Sequence, residues 1–209
     1  MKFDAAAATA HQANSDPVMA DIVSRVGLCG MGGREPGFEN LANVIIAQQL
    51  SRKAATTIRN RVVDALGGQL APEPLLAHDL EALRICGLSR PKIAYLKAMA
   101  ERVIDGSLDF AALDAMEDEA GIELLTSLKG IGRWSAEMYL MFVVGHPDLL
   151  PLDDAALKTT FCQLYEVPRE QYREAFVAAG ERWRPFRSAA CWYFYAHANG
   201  QGTVLEETA

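Results

Sequence analysis

Apolar positions recur at helical spacing along almost the whole chain. From Phe38, the residues Leu41, Val44, Ile45 and Ile46 share a face and predict a buried helix ending near Gln48-Gln49. Ser51 is placed to cap the next helix, whose stripe runs Ala54, Ala55, Ile58, Val62 and Leu66 before Gly67-Gly68 stops it. Pro72 and Pro74 open a short helix, and Asp79 to Cys86 reads as another. The turn Gly87-Leu88-Ser89-Arg90-Pro91 puts Pro91 in the first turn of a helix reaching Ile104. Two helical segments follow Gly106, up to Ser127. Lys129-Gly130-Ile131-Gly132 then breaks the pattern, and Trp134, Met138, Met141, Phe142 and Gly145 read as the buried stripe of a helix that Pro147 ends. Asp153-Asp154 starts a helix through Leu157, Phe161 and Leu164, and Pro168 starts the next. The last follows Pro185 and carries Trp192, Tyr193, Phe194 and Tyr195. Without alternating strands or internal repeats, the pattern predicts an all-α protein of roughly ten helices.

Composition narrows the classes. With 209 residues, 50% hydrophobic and 22% charged, the chain can fill one large core or two packed lobes and is not disordered. No apolar run approaches the ~20 residues of a membrane span. Met1-Lys2-Phe3-Asp4 and the alanines after it lack an export signal's apolar core and read as a mobile N-terminal stretch. Cys29, Cys86, Cys162 and Cys191 are too widely spaced for zinc or iron–sulfur ligation and suit a reducing, cytoplasmic compartment. The net charge of −7 argues at first against a nucleic-acid partner. The charge is uneven, however. Six acids and no base lie between Asp109 and Glu123, while bases gather as Arg52, Lys53, Arg59 and Arg61, as Arg90, Lys92 and Lys97, and as Lys129 and Arg133.

Two short segments carry chemistry. In Leu128-Lys129-Gly130-Ile131-Gly132-Arg133-Trp134, two glycines flank one apolar anchor, and the turn feeds a helix N-terminus. Free N–H groups and the helix dipole favour an anion there, so a phosphate can be held without a basic side chain. An ordinary helix–helix turn has the same spacing. In Pro151-Leu152-Asp153-Asp154-Ala155, one acid can cap the helix while the other points into a cleft.

Together these residues resemble the helix–hairpin–helix DNA glycosylase superfamily, in its 3-methyladenine DNA glycosylase II branch, which includes the yeast MAG-like enzymes. Four blocks carry the resemblance: Ile45-Ile46-Ala47-Gln48-Gln49-Leu50-Ser51, the hairpin with Trp134-Ser135-Ala136-Glu137, the Asp153-Asp154 helix start, and Trp183-Arg184-Pro185-Phe186-Arg187-Ser188. The family's aspartate follows its hairpin by about twenty residues; here Asp154 lies 22 positions after Gly132. The resemblance implies the all-α glycosylase fold, two closely packed lobes with the active-site cleft between them. It also implies a monofunctional glycosylase that flips alkylated bases out of double-stranded DNA, hydrolyses their N-glycosidic bond and so initiates base excision repair.

The resemblance assigns roles as follows. Asp154 is the catalytic carboxylate, in the register that the pattern D-x-x-x-K sets with Lys158. Trp134, Met138, Ala155 and Tyr195 line the base pocket, although Tyr195 equally suits the core. Gln49 or Leu50, with Leu88 from the Gly87-Leu88-Ser89 loop, fills the gap left by the flipped base, and Gln48 faces the unpaired one. Lys129, Gly130, Ile131, Gly132 and Arg133 bind phosphate. The carbonyls of Thr126, Leu128 and Ile131 can hold Na+ or K+; no cofactor is required and no iron–sulfur cluster is expected. Strand-cleaving relatives carry a Schiff-base lysine where Trp134 stands. Residues 1–37 should pack with the C-terminal helices, residues 38–198 form the glycosylase domain with hairpin 128–134, and residues 199–209 form a tail. A monomer is expected, in the cytoplasm, with the nucleoid or in the nucleus. Two other readings remain open at this stage: a non-catalytic DNA-binding module, and a glycosylase for oxidised or mismatched bases.

Overall fold

The alanine-rich start of the chain is helical. Alanine has the highest helix propensity, and the Asp4 carboxylate caps the run by accepting the Ala7 N–H at 2.9 Å. The computed structural model describes residues 3–32 and 35–200. The stretch expected to be mobile is therefore α1 (Ala5–Ala13), followed by α2 (Pro17–Val26). Met1, Lys2 and the tail beyond Gly200 lie outside the described residues. Among the described residues there are twelve α-helices and no strand, so the all-α reading holds with two more helices than the periodicity suggested.

The described residues form two compact units, 3–32 with 144–200 and 35–143, so the expected domain 38–198 is divided between them. The second unit holds α3 (Phe38–Ala47), α4 (Arg52–Ala65), α5 (Pro72–Ala77), α6 (Leu80–Ile85), α7 (Arg90–Ile104), α8 (Asp118–Thr126) and α9 (Arg133–Tyr139). α7 packs against α3, α5 and α6, burying Ile93, Leu96 and Met99 beside Leu41, Ile45 and Leu75. Ser51, Asp79 and Ser89 cap α4, α6 and α7 through their side chains, as expected of such residues at helix starts.

α9 departs from the expected stripe. Met141 and Gly145 of that stripe are buried, with Ala136, Tyr139, Leu140 and Val143 of α9 and the turn after it, whereas Trp134 is 49% exposed and Met138 and Phe142 are only half-buried. Trp134, Met138 and Phe142 thus form a second stripe at i, i+4 and i+8, which the core does not take. The helix loosens into a π-helical turn at Leu140–Val144 and stops there, because Gly145 turns left-handed (φ 92°) before Pro147 is reached.

The first unit adds α10 (Ala155–Leu164), α11 (Tyr172–Trp183) and α12 (Arg187–Ala198) to α1 and α2. Its core is aromatic: Phe161 meets Phe176, Trp183 and Phe194 edge-on, with centroids 5.0–6.2 Å apart. Buried Gln12 donates to the carbonyls of Phe186 (2.9 Å) and Trp183 (3.3 Å), and the Tyr193 hydroxyl donates to the Gly27 carbonyl (2.8 Å). These bonds tie α1 and α2 to the C-terminal helices, with their polar groups satisfied rather than stranded.

Candidate active site

Of the two adjacent acids, only Asp154 is buried, at 5% exposure. It is the N-cap of α10, its Oδ1 accepting the Leu157 N–H at 2.7 Å. The Asp153 side chain is 73% exposed and pairs with Arg173 at 2.9 Å. The helix start therefore divides the acids as its geometry requires: the capping side chain turns back over the first turn and the preceding one turns out. The Tyr195 hydroxyl hydrogen-bonds Asp154, and burial first, then the Asp154 charge, push the Tyr195 pKa well up, keeping the phenol protonated. Tyr195, from α12, and Ala155, which follows Asp154, thus stand with the carboxylate in one unit.

The approach to Asp154 is pinned by the block Trp183–Ser188, whose role the sequence did not disclose. The Ser188 N–H donates to the Pro147 carbonyl (2.9 Å), and its Oγ accepts the Leu149 N–H (2.9 Å). Arg187 and Arg184 both grip Asp148, at 2.8 and 2.6 Å. A loop with its backbone bonded and its acid doubly paired delivers the following residues in one conformation. Tyr172 is a second residue not anticipated. Its hydroxyl is buried without a partner, and the Lys158 ammonium lies 5.6 Å from its ring centre.

In the other unit the hairpin is shaped by Gly130 rather than by both glycines. Gly130 has φ 89°, and a Cβ there would fall 2.3 Å from the Tyr95 ring. Gly132 is in ordinary extended backbone (φ −89°, ψ 169°), with nothing within 4 Å of a Cβ position. Ile131 is buried as the expected anchor and Lys129 is exposed. Arg133 is exposed but already engaged. Its guanidinium bonds Glu119 (3.0 Å) and Glu137 (3.0 Å), and these carboxylates raise its pKa, so its charge is already matched. Lys129 is left as the basic side chain of the hairpin's tip.

The turn after α3 also differs in detail. Gln49 is exposed in a left-handed conformation (φ 58°) and Leu50 is 39% exposed. The Gln48 amide donates to the Gly130 carbonyl at 2.7 Å, so Gln48 is braced on the hairpin. Leu88 does not present itself as a wedge: at 4% exposure it is core, its N–H bonded to the Leu83 carbonyl that α6 leaves open at its end. Ser89 beside it is exposed and caps α7. At the end of α8 the Leu128 carbonyl accepts the Ile131 N–H (3.1 Å). Thr126, Leu128 and Ile131 lie at the end of α8 and just beyond it, where the helix dipole is negative. Among the described residues no helix is long and apolar enough to cross a membrane.

Residues 42–185 match the family described as HhH-GPD superfamily base excision DNA repair protein. The DNA-3-methyladenine glycosylase 1 of Schizosaccharomyces pombe is 36% identical over 168 residues, covering 79% of this chain and 73% of that one. Among solved structures, the DNA-3-methyladenine glycosidase of Bacillus halodurans superimposes with a TM-score of 0.81 at 33% identity, over 96% of this chain and 94% of the other. The Schizosaccharomyces pombe 3-methyladenine DNA glycosylase in complex with abasic DNA gives a TM-score of 0.77 at 32% identity, over 92% and 97%.

Proposed function

Because this chain belongs to the HhH-GPD superfamily of base excision DNA repair proteins, we propose that it is a DNA-3-methyladenine glycosylase: a hydrolase that removes alkylated bases from double-stranded DNA without cutting the strand. The observation that carries the reading is the buried Asp154 carboxylate, held on the Leu157 N–H and by the Tyr195 hydroxyl. As the glycosidic bond breaks, positive charge develops on the sugar, and a fixed carboxylate stabilises it without having to reorganise. The same group can orient the water that completes hydrolysis. Tyr195 keeps the carboxylate in place, and Ala155 leaves room beside it. The exposed indole of Trp134, with Met138 a turn along, offers a flat face to an extruded base. A cationic alkylpurine gains about 1–2 kcal/mol on such a ring when desolvated.

On the DNA side, the N–H groups at the start of α9 bind a backbone phosphate, and Gly132, with its open flank, lets the phosphate approach. Lys129 adds a point charge. Gln49 and Leu50 fill the gap in the duplex, and Gln48 stands next to them. The Thr126, Leu128 and Ile131 carbonyls would hold Na+ or K+, which would offset phosphate charge near the hairpin. The protein acts as a monomer where the cell keeps its DNA, in the nucleoid or the nucleus. The direct test is release of free base from duplexes carrying single defined lesions, expected for 3-methyladenine and absent from undamaged DNA.

Two further outcomes follow from single residues. An indole forms no Schiff base, so borohydride should trap no covalent adduct on lesion-containing DNA; efficient trapping would overturn the monofunctional reading. With Arg133 engaged by two acids, Lys129→Ala should remove the hairpin's basic side-chain contact. The slope of log affinity against log salt should then fall by about one, measured on an abasic-site duplex. An unchanged slope would place Lys129 off the DNA.

A further inference from the structure

The turn Gln48-Gln49-Leu50 is held in a shape it would not keep alone. Gln49 has φ 58°, a left-handed conformation that non-glycine residues adopt only where their surroundings over-determine it. One restraint is local, the Leu50 N–H on the Ala47 carbonyl at 3.1 Å. The others come from Lys92, far along the chain in the first turn of α7. Its Nζ donates to the Ile46 carbonyl at 2.8 Å and to the Gln48 carbonyl at 2.7 Å. These are acceptors that the end of α3 leaves without intrahelical donors, and a cation suits that end of the helix dipole. Burial lowers the Lys92 pKa, as befits an ammonium withdrawn from water onto backbone oxygens. The Gln48 side chain then donates to the Gly130 carbonyl at 2.7 Å. A continuous chain of hydrogen bonds therefore runs from α7 through Lys92 and Gln48 to the hairpin.

We propose that Lys92 is a positioning residue: it holds the turn Gln48-Gln49-Leu50 in the shape that enters the duplex and, through Gln48 on Gly130, sets its reach from the phosphate-gripping hairpin. This rests on the reading of that turn as the gap-filling wedge. Base flipping requires a side chain inserted at a fixed offset from the phosphates that anchor the protein, so a relaxed turn would grip DNA and fail to open it. The loss should therefore appear in flipping and turnover, not in adhesion to undamaged duplex.

The fold supplies an internal control. Lys97 makes the same kind of clamp elsewhere, its Nζ donating to the His78 carbonyl at 2.9 Å and the Leu76 carbonyl at 3.4 Å at the end of α5. Lys92→Met and Lys97→Met thus remove like interactions, only one of which touches the wedge turn. The experiment compares both, and Lys92→Arg, with wild type. It measures single-turnover release of 3-methyladenine, the fluorescence of 2-aminopurine placed beside an abasic-site analogue, and affinity for undamaged duplex. Lys92→Met should lower both base release and the fluorescence rise by about tenfold or more. Its affinity for undamaged DNA should stay close to wild type. Lys92→Arg, which keeps a cationic donor, should recover part of the loss, and Lys97→Met should resemble wild type. Equal losses in the two methionine variants would mean general destabilisation, and a fully active Lys92→Met would mean that the clamp is idle; either overturns the inference. A wild type that releases no base refutes the glycosylase reading alone, because the fluorescence comparison still judges Lys92. A wild type that produces no fluorescence rise overturns the wedge and this inference together.

Discussion

Asp154→Asn is expected to lose base release by a factor on the order of 10² or more, the size of effect seen when a preorganised electrostatic stabiliser is removed. The fold should survive, because asparagine is as good an N-cap as aspartate and its oxygen can still accept the Leu157 N–H. What disappears is the charge. Asp153→Asn gives the contrast: it breaks only an exposed pair with Arg173, worth about 0–1 kcal/mol, and should leave turnover near wild type. Single-turnover base release, with circular dichroism to confirm folding, checks both. A dead Asp153→Asn beside an active Asp154→Asn would place the catalytic register one residue away.

Valine at Gly130 and valine at Gly132 should fail in different ways. At Gly130 the side chain meets a left-handed backbone and a Cβ position 2.3 Å from the Tyr95 ring. Strain and overpacking of this kind cost about 2–4 kcal/mol or more, so Gly130→Val should show a large fall in melting temperature or no fold at all. At Gly132 the backbone already suits any residue and the flank is open. The change to a poor N-cap should cost about 1 kcal/mol. A valine there would nonetheless stand where the phosphate must come close to the N–H groups of α9. Gly132→Val should therefore fold and bind an abasic-site duplex about tenfold or more weakly, since those contacts dominate affinity in an acidic protein. Thermal unfolding and duplex titration separate the two. A Gly132→Val that binds as tightly as wild type would reduce the hairpin to a plain helix–helix turn.

Features set by neighbours in sequence are legible in the sequence itself. The Ser51 cap, the short helix near Asp79, Pro91 in the first turn of its helix, the hairpin break, and the helix after Asp153-Asp154 all lie where short-range propensity puts them, because each depends on a few adjacent residues. Periodicity failed where one helix carries two apolar stripes. Spacing alone does not separate the face of α9 that fills the core from the face bearing Trp134, and an alanine run with no apolar stripe reads as loose chain although a capping acid starts it as a helix. The site's finer decisions belong to tertiary structure: that Glu119 and Glu137 engage Arg133, that Leu88 is core, that Tyr95 makes Gly130 obligatory, that Asp148 and Ser188 brace the approach to Asp154. Each joins groups whose meeting depends on how helices pack rather than on local spacing, as Lys92 meets the end of α3. The sequence by itself determined helices, breaks and the chemical kinds of group available; packing alone decided which charges are matched, which side chains stay exposed and which carboxylate is buried, because hydrogen-bond partners and solvent exposure are properties of the assembled fold.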